Sequence, residues 1–190
     1  MEQEKQEPTP PPQEETSFWR DIIRFTIIAV CIVLPIRIFI MQPFIVSGAS
    51  MHPTFETGDY LIVDEIGYRL HEPVRGEVVI FKYPKDPSKF FIKRIIGLPG
   101  ETLQSVNGIV VVKDAAGNEG PLDESYLREM PKDTFSITLT NDEYFVMGDN
   151  RTASLDSRIW GALPRNFIVG RAWVRLFPLS EIGVWPGRTQ

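Results

Sequence analysis

Phe90-Phe91-Ile92-Lys93-Arg94-Ile95-Ile96-Gly97 is the stretch on which the fold of this 190-residue chain turns. Its aromatic and β-branched residues, closed by a glycine, predict a strand. Alternation along a strand puts Lys93 on the face of Phe91 and Ile95, and Arg94 on the opposite face with Ile92 and Ile96. A lysine held between apolar neighbours loses solvation of its ammonium, which lowers its pKa from about 10.4 by up to several units. A neutral amine is a usable general base. The plainer reading packs only the stem of Lys93 and leaves its charge in water at a sheet edge.

Working outward, the same composition recurs in short runs. Tyr60–Val63, Glu77–Phe81, Ile109–Val112, Phe135–Leu139, Tyr144–Met147 and Phe167–Phe177 all predict strands. Gly58-Asp59, Arg75-Gly76, Pro99-Gly100 and Gly148-Asp149 punctuate them, and Asn107-Gly108 is a two-residue hairpin signal. No long helical period follows Met41. The fold class is therefore mainly β, an antiparallel sheet domain over residues 42–190, with a polar, Gly- and Pro-marked excursion at about 114–142.

Ahead of the β region, Phe25 to Leu34 is apolar except for Thr26. With Ile36 and Ile38 to Met41 it reaches the ~20 residues a bilayer core demands, so one transmembrane helix is predicted over residues 18–41. Pro35 is expected to kink it. Arg37, about 20 Å beyond Arg24 along a helix, falls near the far interface, where it snorkels. A cleaved secretory signal is the alternative, since Ser47-Gly48-Ala49 offers a small-x-small site, but Arg37 and the bulky Phe39–Val46 stretch intervene. Arg20 and Arg24 favour an inside N-terminus, which places the β domain outside the cytoplasm. Residues 1–17, with four prolines and five glutamates, read as a disordered tail. That tail carries most of the formal net charge of -5. No basic field for nucleic acid exists. The single cysteine, Cys31, excludes an intrachain disulfide and a thiolate metal cluster.

Two further stretches carry chemistry. Ser47-Gly-Ala-Ser50-Met-His-Pro-Thr54 sets a hydroxyl in a small-residue bend, at most about 30 Å of chain beyond Met41, so Ser50 works near the membrane surface. Serine needs a neighbouring base to become a nucleophile, and Lys93 is the candidate. Gly148-Asp-Asn-Arg-Thr-Ala-Ser-Leu-Asp-Ser-Arg158 is a polar loop leaving an apolar strand. Ser154 or Ser157 is placed to orient a lysine amine, and Asp149, Asp156, Arg151 and Arg158 to pair within the loop. Such loops also serve as plain turns. Asn150-Arg-Thr152 fits a glycosylation sequon.

In this order the stretches resemble the type I signal peptidases, membrane-bound Ser-Lys proteases. Ser50-Met-His-Pro-Thr matches the serine box, Phe91-Ile-Lys-Arg-Ile-Ile-Gly-Leu-Pro-Gly-Glu101 the lysine box, and Gly148-Asp-Asn-Arg with Ser154-x-Asp-Ser-Arg158 the third. Gly58-Asp59 and Arg75-Gly-Glu-Val-Val-Ile-Phe81 fit the intervening boxes. The resemblance implies Ser50 as nucleophile, Lys93 as general base and Ser154 as the hydroxyl orienting the amine, with Asp149, Asp156 and Arg158 in support. It implies the Ser50 backbone N–H as one oxyanion donor. Some members carry a serine two residues before the nucleophile as the second donor; here Gly48 stands, with only backbone to offer. The implied substrates are signal-peptide-bearing preproteins at a lipid membrane, cut after small residues such as Ala-x-Ala, with no cofactor and no metal. A His-based triad would have to use His52 or His71, and His52 is too near Ser50 in sequence to face it. The Ser-x-x-Lys tetrad of β-lactam enzymes is absent. The self-cleaving SOS repressors share the Ser-Lys logic but lack a membrane helix. A non-catalytic, membrane-anchored β module that binds exported peptides is the reading from another class.

Overall fold

The computed structural model describes residues 15–39 and 41–188. It divides into two units, the N-terminal one reaching to Ile38 and the other beginning at Phe39. The first holds helix α1 (Glu15–Phe39), which continues through Pro35. Its side chains are described from Phe18 to Ile32, and all of them are exposed. Among the described residues no helix is long and apolar enough to cross a membrane. The expected tail falls largely outside the described residues, as do the side chains of Pro35 and Arg37.

The second unit is built on two antiparallel sheets. Strands β1 (Met41–Ile45), β2 (Tyr60–Asp64), β3 (Val78–Tyr83), β4 (Asp86–Gly97), β9 (Glu143–Met147), β10 (Leu163–Pro164) and β11 (Ile168–Phe177) run in the order β1-β2-β11-β3-β4-β9-β10. β12 (Gly183–Val184) pairs with β11. β5 (Thr102–Val106), β6 (Ile109–Lys113), β7 (Glu119–Pro121) and β8 (Phe135–Thr138) form a smaller sheet ordered β7-β6-β5-β8.

Side-chain parity explains the packing. β3 is buried on both faces from Val78 to Phe81, as a continuous apolar run requires. Val78 and Ile80 join Met51, Phe55, Leu61 and Val63 in one core, while Val79 and Phe81 join Ile95, Tyr144 and Val146 in another. Met51 and Phe55, both fully buried, tie the segment after Ser50 to the first core. Burying one such side chain stabilises by roughly 1.5–3 kcal/mol. The smaller sheet closes over a third core of Ile96, Leu103, Val110, Leu139, Phe145 and Met147.

The predicted strands are present, with two differences. α1 ends at Phe39 and the chain turns at once into β1, which the sequence had placed in the helix exit and its flank. The Asn107-Gly108 hairpin, with φ of 52° and 85°, belongs to the smaller sheet, which therefore starts at Thr102, ahead of the expected excursion.

Candidate active site

β4 is paired on one side with β3 along most of its length, Val79 lying opposite Lys93. On the other side β9 pairs it only from Arg94 onward. Among the described residues, no strand covers that second edge over Phe90–Lys93. This open edge forms one wall of a cleft of about 350 Å³, whose other wall is Phe44–Ser50, with Ala153 and Leu155 at its rim.

Ser50 and Lys93 meet at the end of this cleft. Lys93 Nζ donates to Ser50 Oγ at 2.8 Å and to the Ile92 carbonyl, also at 2.8 Å. The amine lies 5.3 Å from the Phe91 ring centroid, and the residue is 4% exposed. Burial pushes the Lys93 pKa down to about 8; Asp156 and Asp149 oppose the shift without cancelling it.

The 148–158 loop closes the other flank. Gly148 is pressed against the nucleophile: a β-carbon there would meet the Ser50 carbonyl and Ser154 Oγ, and would lie 2.6 Å from Ser154 Cβ. Asn150 grips the nucleophile segment twice, donating its backbone N–H to the Ser50 carbonyl at 3.0 Å and its side-chain amide to the Ala49 carbonyl at 3.1 Å. The amide of the sequon is thus turned inward.

Asp149 does not pair within the loop. It receives two bonds from Arg94, at 2.8 and 2.5 Å, and one from the Thr54 hydroxyl at 2.5 Å. Both members of the ion pair are almost wholly buried, and the Arg94 guanidinium also caps the Gly76 carbonyl and lies over the Tyr126 ring. Asp156 does pair locally: it accepts from Arg158 Nε and NH2 at 2.8 Å each and from the Gly148 N–H at 3.1 Å. Burial alone would raise the pKa of Asp156, but Arg158 outweighs it and holds the carboxyl below its ordinary range. Arg151 leaves the loop for Glu124 and the Tyr126 hydroxyl.

Two residues do not make, in this structure, the contacts expected of them. Ser154 makes no hydrogen bond to the amine. Its buried hydroxyl lies beside the Asp156 carboxylate, which it helps keep ionised, without completing a well-formed hydrogen bond. The Ile92 carbonyl orients the amine in its place. The Gly48 N–H is committed elsewhere in this structure, donating to Thr57 Oγ1 at 3.1 Å. The Ser50 N–H, by contrast, makes no hydrogen bond among the described residues. Ser157 spends its hydroxyl as acceptor for the Val146 N–H. His52 turns away from Ser50: Nδ1 meets Glu56 at 2.5 Å, and Nε2 meets Arg128 at 3.0 Å.

Sequence reasoning missed Thr54, Asn150 and the partner of Asp149. Arg94 does carry a signal in the sequence, since a charged residue alternating with Lys93 onto an apolar face requires a buried counter-charge. Among the described residues, no group of His, Cys, Asp or Glu is placed to hold a metal ion.

A family model described as signal peptidase, peptidase S26, matches residues 19–177. A Synechocystis protein named probable signal peptidase I-2 is 38% identical over 180 residues, covering 91% of this chain and 79% of its own. A second from that organism, probable signal peptidase I-1, is 37% identical over 184 residues, covering 93% and 90%. Signal peptidase I of Leptolyngbya laminosa is 38% identical over 165 residues, covering 82% and 78%.

Proposed function

The chain belongs to the signal peptidase family, peptidase S26, and on that premise we propose that Ser50 and Lys93 are the catalytic dyad of a membrane-anchored serine endopeptidase that removes signal peptides from exported preproteins. The observation that carries the reading is the 2.8 Å contact between a half-buried serine hydroxyl and a buried lysine amine whose burial disfavours its charge.

The neutral Lys93 amine takes the Ser50 proton as Oγ attacks the scissile carbonyl. Charge then develops on that oxygen, and the Ser50 N–H is the donor the site leaves uncommitted for it. The lysine passes its proton to the leaving amine, and a water deprotonated by the same lysine releases the acyl group. Once Oγ is acylated, the amine must find another partner. The Ser154 hydroxyl, buried and without a fully formed hydrogen bond, is assigned to that step. Asp149, through Arg94, and Asp156, through Arg158, keep the loop rigid. The substrate lies extended along the open edge of β4, where backbone pairing gives affinity. Ile92, Ala153 and Leu155 line the cleft that would receive the side chains before the cut, and in this reading they narrow it to small ones such as Ala-x-Ala.

Helix α1 is the single membrane anchor in this reading, with the β domain on the extracytoplasmic side of the cell membrane. At 1.5 Å each, its 25 residues match the length of a ~30 Å hydrocarbon core, while its described part alone falls short of the apolarity a span requires. The test compares cleavage of a preprotein ending its signal in Ala-x-Ala by full-length wild type, Ser50→Ala and Lys93→Ala in lipid or detergent. Both variants are expected to lose cleavage by at least ~10³-fold while remaining folded. Substantial activity in either folded variant would remove that residue from the dyad.

A further inference from the structure

We propose that Thr57 is a positioning residue for the nucleophile, its hydroxyl clamping both polar groups of the Gly48 backbone and so fixing the bend that aims Ser50. The inference rests on the assignment of Ser50 above. The segment leading to Ser50 runs beside residues 57–59 as an irregular ladder: the Val46 N–H donates to the Asp59 carbonyl at 2.9 Å, and the Gly58 N–H donates to the Val46 carbonyl at 2.9 Å. At the next rung the main chain supplies no partner. The Gly48 N–H donates to Thr57 Oγ1 at 3.1 Å, and the Thr57 hydroxyl donates to the Gly48 carbonyl at 3.2 Å. One hydroxyl therefore does the work of two backbone groups.

That clamp is needed because of where it sits. Gly48 has φ +97°, a conformation open to glycine and strained for other residues, and nothing lies within 4 Å of where its β-carbon would be. Ser47, Gly48 and Ala49 are all exposed, so packing does not hold the bend either. On its C-terminal side Ser50 is fixed by Asn150 and by buried Met51. On its N-terminal side the last hydrogen-bonded tether before Ala49 is Thr57. A bend with glycine's freedom and no clamp would let Ser50 Oγ and its N–H wander relative to Lys93, and a displacement of about 1 Å is enough to cost up to ~10²-fold in rate. Thr57 is itself exposed and belongs to none of the three cores, so its loss leaves the fold standing.

Thr57→Val keeps the shape and removes the hydroxyl; Thr57→Ser keeps the hydroxyl. With full-length protein in lipid and an Ala-x-Ala peptide, the valine variant is expected to lose on the order of tenfold, carried mainly by kcat. Its unfolding midpoint should match wild type, and its pH-rate midpoint should stay near the Lys93 value of about 8. The serine variant should recover most of the rate. Wild-type kcat in the valine variant, or equal impairment of valine and serine, overturns the clamp while Ser50→Ala remains inactive. Cleavage by Ser50→Ala overturns the nucleophile assignment and the clamp with it. Should the valine variant unfold, the serine-against-alanine comparison at position 57 decides by the same criterion.

Discussion

Lys93 is held in an environment that works against its own protonation, and the sign of that effect reaches both rate and stability. An unfolded lysine keeps its proton up to about pH 10.5, whereas folded Lys93 releases it near 8. Activity that requires the neutral amine should therefore rise with pH through about 8. In the same window the unfolded chain binds more protons than the folded one, so this residue makes stability climb between pH 8 and 10.5 and imposes its full penalty below 8. Lys93→Met should accordingly be inactive, yet more resistant to urea than wild type at pH 7, and its stability advantage should shrink as pH rises past 8. Denaturant curves at several pH values test this, and parallel curves for the two proteins would sink it.

At the scale of elements, the site is a contact between the nucleophile bend, β4 and the 148–158 loop, and Gly148 is where bend and loop touch. Gly148→Ala sets a methyl group against the Ser50 carbonyl and the Ser154 side chain. Activity is expected to fall by ~10²-fold or more, while the melting temperature drops by only a few degrees. An alanine variant with wild-type kcat would show that the loop retreats freely. This scale also shows what sequence pattern does and does not carry. Strands of β-branched and aromatic residues were legible, as was the Asn107-Gly108 turn, because these are local preferences. β1 was not: Met41-Gln-Pro-Phe-Ile45 holds a proline and follows an apolar run, and its strand character comes from pairing with β2. The Ser50–Lys93 pairing was legible through its motifs. The Thr57 clamp and the Arg94–Asp149 pair join residues 9 and 55 apart, and no periodicity announces such partners.

At the scale of the whole molecule, α1 exposes apolar side chains such as Phe25 and Ile27, and in the β domain Phe177, Leu179, Ile182 and Val184 are each more than half exposed. The proposed anchoring by α1 is open to a direct test. Ile28→Lys, in the described part of α1, should cost roughly 2.5–3.5 kcal/mol of insertion and move protein into the carbonate-soluble fraction. Peptide cleavage in detergent should stay unchanged, and full retention in the membrane fraction would argue against α1 as the anchor. The long strand that runs through the centre of the β domain has a last implication. Neighbouring positions on β4 carry one cation that sheds its proton and one that cannot, each facing an opposite side. A single-residue slip would deliver a permanently charged guanidinium to the serine, a silent enzyme with an intact-looking sheet. The buried Arg94–Asp149 fork closes in the observed register, and a slipped strand would leave Asp149 buried without its counter-charge, a cost that favours the register in which the lysine meets the serine.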